Sequence, residues 1–167
     1  MTNKETIEKE KDFEEMVSEY GSMITKICYY FSNDTEEFKD LRQEILYNLW
    51  KGRDSFRNDS KLSTWIYRVS LNTCISFQRK EKKFKDYVPL ENIFDIEDDS
   101  DTTRLKKYNK MHSLIQKLKY EDRAILLLWL DDKNYEEIAS LIGINRNTLA
   151  TKLKRIKEKL ARMANEE

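Results

Sequence analysis

Residues 133–155 read KNYEEIASLIGINRNTLATKLKR, and the fold turns on how this stretch is read. An apolar run ends at Gly143, and a second one starts almost at once carrying a row of cations. Asn134 followed by Glu137 has the spacing of a capping box, which predicts a helix start there. Gly143 can take positive φ where that helix must stop, and Asn145 can cap a second helix from Arg146 to about Met163. Ala139 is small where the two helices cross, and Ile138, Ile144 and Leu149 seal the angle between them. The spacing is that of a helix-turn-helix. On the second helix Leu149, Leu153, Ile156 and Leu160 fall on the inner side. Arg146, Asn147, Thr148, Thr151, Lys154 and Arg155 fall on the outer one, a face suited to base edges and phosphates in a major groove.

The rest of the chain agrees with an all-α fold. Among 167 residues there are three glycines and one proline, too few turn-formers for a β-rich or doubly wound protein. No run of eighteen apolar residues and no charged-then-apolar leader is present, so neither a membrane span nor a signal peptide is expected, and the protein is read as cytoplasmic. Cys28 and Cys74 lie among apolar residues and are read as buried thiols. One histidine, His112, gives no zinc-ligand spacing. No Gly-rich phosphate loop or nucleophile elbow occurs, so no cofactor, metal or enzymatic activity is expected.

Lys plus Arg and Asp plus Glu number 31 each, but the charges are segregated. Seven acids and no base lie between Asp86 and Thr103. That stretch also holds Pro89, the only proline, so residues 86–105 are read as a flexible acidic linker, with room for a short helix through Leu90, Ile93, Phe94 and Ile96. Cations dominate just before it, at Arg79, Lys80, Lys82, Lys83 and Lys85, and again in the last helix. The division is therefore 1–85, a linker at 86–105, and 106–167.

In the first part, Phe13 to Phe31 recur at helical spacing, and Leu41, Ile45, Leu46, Leu49 and Trp50 form a second stripe that stops at Gly52, read as a C-cap. After the loop SFRNDSKLS, Ser63 is expected to cap a helix from Thr64 to about Lys82. The second part is expected to open with a helix near Leu105–Leu118, a KYED turn, and AILLLWL from Ala124 to Leu130.

DLRQEILYNLW (residues 40–50), DSFRNDSKLSTWIYRVSLNTCISFQRK (54–80) and LKYEDRAILLLWLDDKNYEEIASLIGINRNTLATKLKRIKEKL (118–160) together resemble bacterial sigma factors of the extracytoplasmic-function type. The resemblance spans both parts in order. It implies two small helical domains, the second with the helix-turn-helix, and no catalysis. Its implied partners are core RNA polymerase, promoter DNA and an anti-sigma factor, without membrane insertion. The resemblance places Asp40, Leu41, Gln43, Glu44, Leu46, Asn48 and Trp50 on the polymerase β′ clamp, although Leu46 and Trp50 also suit a core. Arg57, Asn58, Asp59, Ser60 and Lys61 would hold an unpaired base of the minus-10 element, and Arg68, Asn72, Arg79, Lys82 and Lys83 would follow the DNA. Trp65 is read as core. The minus-35 element falls to Arg146, Asn147, Thr148, Thr151, Lys152, Lys154 and Arg155, and the β flap to the apolar surface Leu126–Leu130. Tyr120, Asn147 and Ala150 depart from the usual Pro, Gly and cation of that family. Two other readings of the residues alone are a stand-alone helix-turn-helix regulator and a helical adaptor that does not bind DNA.

Overall fold

The computed structural model describes residues 2–81 and 102–166. Within them the chain forms α1 (Asn3–Phe31), α2 (Thr35–Gly52), a 3-10 turn (Arg53–Ser55), α3 (Leu62–Glu81), α4 (Thr102–Gln116), α5 (Tyr120–Leu130), α6 (Tyr135–Ile142) and α7 (Arg146–Asn165). Lys82, Lys83 and the short helix expected around Leu90–Ile96 lie outside the described residues. Residues 102–105, read as linker, belong to α4.

Helix starts follow side-chain caps. Thr2 and Glu5 close a capping box on α1, ten residues before the apolar stripe begins. Asp34 accepts from Glu37 N–H at the start of α2, and Asn134 and Asn145 cap α6 and α7 as expected. Other boundaries differ from the sequence reading. Helix α3 begins at Leu62, so Ser63 lies in its first turn and does not cap it. Tyr120, Glu121 and Asp122 open α5, where the two acids suit the helix dipole, so most of the KYED turn is helical. Gly52 is right-handed at φ −84° and leads into the 3-10 turn. It is not a left-handed cap; a Cβ there would stand 3.4 Å from Trp65 Cζ2.

Helices α1, α2 and α3 pack on one another, and α5, α6 and α7 form the second group. The groups also touch, α1 against α4 and α5, and α3 against α5 and α6. One apolar cluster runs through both, from Ile24, Leu41 and Ile66 to Ile125, Ile138 and Leu153. Cys28 and Cys74 are free and fully buried within it. Burial pushes the Cys28 thiol up to about 12 and Cys74 well above its ordinary value, so both are unreactive thiols.

The carboxyl end of α1 organises this packing. Its last turn carries no base, and its carbonyls are buried. Ser32 Oγ donates to Cys28 O, and Gln78 of α3 donates to Phe31 O. From α4, Gln116 donates to Tyr30 O at 2.9 Å and Ser32 O at 3.0 Å, and His112 Nε2 lies 2.9 Å from Tyr29 O. Since both Gln116 N–H groups are committed, its 3.0 Å approach to His112 Nε2 has no proton to share. The imidazole is therefore the Nε2–H tautomer, donating to Tyr29 O. Lys26 pairs with Asp131, Arg79 with Glu121 at 3.3 Å, and Lys133 lies 5.5 Å over the Tyr67 ring.

Burial holds the His112 pKa below its ordinary 6.5, outweighing its backbone hydrogen bonds. The unfolded chain then binds the extra proton, so the stability this residue contributes is complete above 6.5 and is lost as pH falls below it. Denaturant melts between about pH 7 and about pH 5 should show falling stability, and His112→Gln should flatten that slope.

Two glycines should respond oppositely to alanine. Gly143 sits at φ +81°, and Gly21 is inside α1; an added Cβ meets nothing within 4 Å at either. Thermal melts should show Gly143→Ala losing about 1–2 kcal/mol from the left-handed backbone. Gly21→Ala should gain about 0.5–1 kcal/mol from helix propensity.

Candidate nucleic-acid interface

The helix-turn-helix is built as its sequence demands. Gly143 N–H donates to Ala139 O at 2.9 Å, and Ile144 N–H to the same carbonyl at 3.1 Å. Ile138 and Leu149 are fully buried, Ala139 nearly so, and Leu153 and Ile156 continue the inner face. Arg146, Asn147, Thr148, Thr151, Lys154 and Arg155 are exposed along α7, and Lys152 is half-buried beside them. Thr151 Oγ1 donates to Asn147 O at 3.1 Å, which ties up its hydroxyl proton in this state. Arg146 Nε donates to Glu136 Oε1 at 2.8 Å.

Helix α3 offers a second polar face. Arg68, Asn72, Ser76 and Arg79 are exposed at steps of four, four and three, a single stripe, while Ile66, Leu71 and Cys74 point into the core. Ahead of it the loop 56–61 is rooted in aromatic packing. The Arg53 guanidinium lies 3.4 Å over the Trp50 ring, and Phe13 meets Trp50 edge-on at 5.1 Å. Phe56 and Trp65 sit 5.4 Å apart. Trp65 is half-buried, packed against the core and against Phe56. From this base the loop projects Arg57, Asn58, Asp59 and Lys61 into solvent, with Ser60 half-buried and Asn58 in the left-handed region at φ 57°. Asparagine tolerates that conformation better than most residues.

A third face lies on α2. Asp40, Gln43 and Glu44 are exposed, and Tyr47, 58% exposed, continues their stripe. The sequence reading missed Tyr47, although its spacing from Asp40, Gln43 and Glu44 carried the signal. Other residues assigned to this face are used internally. Leu41 is fully buried and cannot meet a partner; Leu46 is half-buried against the core. Asn48 Nδ2 donates to Thr73 Oγ1 at 3.0 Å, and both flanks of Trp50 are occupied by Phe13 and Arg53. The apolar surface expected at Leu126–Leu130 is also largely core. Leu126, Leu127 and Leu128 are buried, Trp129 is half-buried with Lys157 Nζ 3.9 Å over its ring, and Leu130 is open at 40%.

Residues 16–84 match the family model for sigma-70 region 2, and residues 108–160 match that for sigma-70 region 4. The chain belongs to the sigma-70 family. It is of the extracytoplasmic-function type. It is 23% identical over 153 residues to the ECF RNA polymerase sigma factor SigM of Mycobacterium tuberculosis, covering 90% of this chain and 76% of that one. It is 26% identical over 163 residues to SigW of Bacillus subtilis, covering 89% and 86%. Among solved structures, CnrH in complex with the cytosolic domain of CnrY aligns over 95% of this chain and 90% of its own, at a TM-score of 0.69 and 18% identity. The sigma factor RpoE of Bartonella quintana, in complex with the anti-sigma factor NepR, gives 0.70 and 17%, over 93% and 98%. In this sigma factor, α1 from Met16 onward, α2 and α3 fall in region 2, and most of α4, α5, α6 and α7 as far as Leu160 in region 4. Among the described residues no group of three or more His, Cys, Asp or Glu is placed to hold a metal ion, and no helix is long and apolar enough to cross a membrane.

If the α2 stripe is a docking face and Leu41 its internal support, the two should separate in mutants. Leu41→Ala should cost about 2–5 kcal/mol in a denaturant melt. Tyr47→Ala should leave stability within about 0.5 kcal/mol while weakening capture by core RNA polymerase about tenfold or more, as loss of an exposed aromatic anchor does.

Proposed function

We propose that the three exposed faces divide the work of promoter recognition. The chain is a sigma factor that binds core RNA polymerase and directs transcription initiation at promoters. Within it, Asp40, Gln43, Glu44 and Tyr47 of α2 meet the polymerase β′ clamp. The loop Arg57–Lys61 takes up an unpaired base of the minus-10 element beside the half-open Trp65 ring, and Arg68, Asn72 and Arg79 track the strand that leads away from it. Arg146, Asn147, Thr148, Thr151, Lys152, Lys154 and Arg155 read the minus-35 duplex, cations on phosphates and Arg or Asn on base edges. Leu130 and the half-buried Trp129 are what remains of the expected β-flap surface.

The observation that carries this reading is the presence of two separate DNA-suited faces and an acidic aromatic face on one chain of zero net charge. Each DNA face has few contacts and binds weakly alone. Unpairing costs a few kcal/mol, on the order of one base-flipping event, so melting needs both faces together. Attachment to polymerase makes the second contact intramolecular and supplies that coupling. The protein acts as a specificity subunit, not a catalyst, and works in the cytoplasm, where polymerase and promoter are. An anti-sigma factor is a further partner, a reading supported by the structure of RpoE in complex with the anti-sigma factor NepR.

Run-off transcription with core RNA polymerase on genomic fragments should yield new start sites only when this protein is added. No new start, together with no binding to core, contradicts the reading. Operator binding as a dimer without polymerase would mark a stand-alone regulator, and activity unchanged by loss of Arg146, Lys154 and Arg155 an adaptor.

A further inference from the structure

Arg146 is the first residue of α7, where the helix dipole presents its positive end and no acid stands in the first turn. A cation is poorly placed there. The counter-charge comes from the other helix of the motif: Glu136 Oε1 accepts from Arg146 Nε at 2.8 Å, and the guanidinium carbon lies 5.5 Å from the centre of the Tyr135 ring. Tyr135 is half-buried and packed on the core, so the ring is a fixed platform. Together with Trp129, Leu130 and Lys133 these three side chains line one open cleft of about 520 Å³ at the mouth of the motif.

Glu136 suits the dipole in the first turn of α6 but does not cap it. The capping box there is closed by Asn134 and Glu137, with Glu137 N–H bonded to Asn134 Oδ1 at 2.9 Å and Glu137 Oε2 accepting from Asn134 N–H at 3.2 Å. Both members of the Arg146–Glu136 pair are more than 60% exposed, so as a surface ion pair it adds little stability. What the pair does is orient a side chain.

We propose that Glu136 is a positioning residue that sets the base specificity of Arg146, holding its guanidinium by Nε on the Tyr135 platform and keeping it off the phosphate backbone. This rests on the reading of α7 as the minus-35 reader. A guanidinium held by Nε keeps the Nη1 and Nη2 pair free, and that is the edge that meets guanine O6 and N7 in two parallel bonds. A carboxylate at the rim also repels phosphate, so an unpositioned Arg146 cannot settle for a sequence-blind salt contact without cost. Glu136 thus trades total affinity for discrimination.

The test uses holoenzyme reconstituted from the full chain and core RNA polymerase. The probe is a duplex library, built on a promoter found by run-off transcription and randomised over its minus-35 element. Arg146→Ala should erase the preference at one base pair. Glu136→Gln should lower the preference at that same base pair by about three- to tenfold while raising binding to unrelated duplex by about two- to fivefold, from loss of one negative charge near phosphates. Glu136→Asp, which keeps the charge but retracts the carboxylate, should lose the preference without the gain in unrelated binding. In the Arg146→Ala background Glu136→Gln should alter no base preference. If Arg146→Ala leaves every base preference intact, the minus-35 reading of α7 fails. If Arg146→Ala erases a preference that Glu136→Gln leaves intact, or if Glu136→Gln weakens all sequences equally, the positioning role is overturned and the reading of α7 stands.

Discussion

The carboxyl end of α1 is the constraint from which the rest of the molecule is built. A long helix driven into an apolar core ends with carbonyls that no helical partner can satisfy, and each left unpaired costs about 1–3 kcal/mol. Here the donors are Ser32 itself, Gln78 from α3, and His112 and Gln116 from α4. The junction to α2 is held the same way: buried Glu37 accepts from Asn33 N–H at 2.7 Å and from Gln78 at 3.0 Å. Because these donors come from the cap residue and from two other helices, α3 and α4, satisfying one helix end fixes both the helix that carries the Arg68–Arg79 face and the helix that leads into the second group. The polar residues at this helix end serve the backbone, and the proposed contacts lie on the outer faces.

Charge is distributed to match. The chain is neutral as a whole, yet exposed cations line α7 and the outer stripe of α3, with a further group on α4 (Arg104, Lys106, Lys107 and Lys110), while α2 presents Glu36, Asp40 and Glu44 with Lys39 and Lys51 among them. At screening lengths of about 8 Å a phosphate senses the local face and not the total. A neutral protein can therefore carry two DNA-binding faces and an acidic docking face without one cancelling another, provided rigid packing keeps them apart. The core that runs through both helix groups provides that rigidity.

Much of this was legible in the sequence. The helix-turn-helix followed from Asn134, Gly143 and Asn145, because capping and a left-handed turn are local requirements that only a few residue types meet. The outer and inner faces of α7 followed from helical period alone. What the sequence hid depends on tertiary neighbours. Gly52 looked like a left-handed cap, but its backbone is right-handed and leads into the 3-10 turn beside Trp65. Leu41 and Leu126–Leu128 lay on helices expected to meet polymerase, and periodicity could not tell a docking stripe from a core stripe. Asn48 looked available until Thr73, 25 residues away, took its amide. His112 gave no signal at all, since its partner is a backbone carbonyl 83 residues distant. The Glu136–Arg146 pair likewise joins residues ten apart, a spacing that becomes adjacency only across the turn.

On the proposed division of faces, one chain grips duplex and melted DNA together when it is attached to polymerase. Permanganate footprinting of a promoter, with core RNA polymerase and this protein present together, tests it most directly, since unpaired thymines react and paired ones do not. Reactive thymines are expected within the minus-10 element, accompanied by protection of the minus-35 duplex, and neither signal with either component alone. A promoter bound by the pair but still unreactive at minus-10, or one opened by core without this protein, would contradict it.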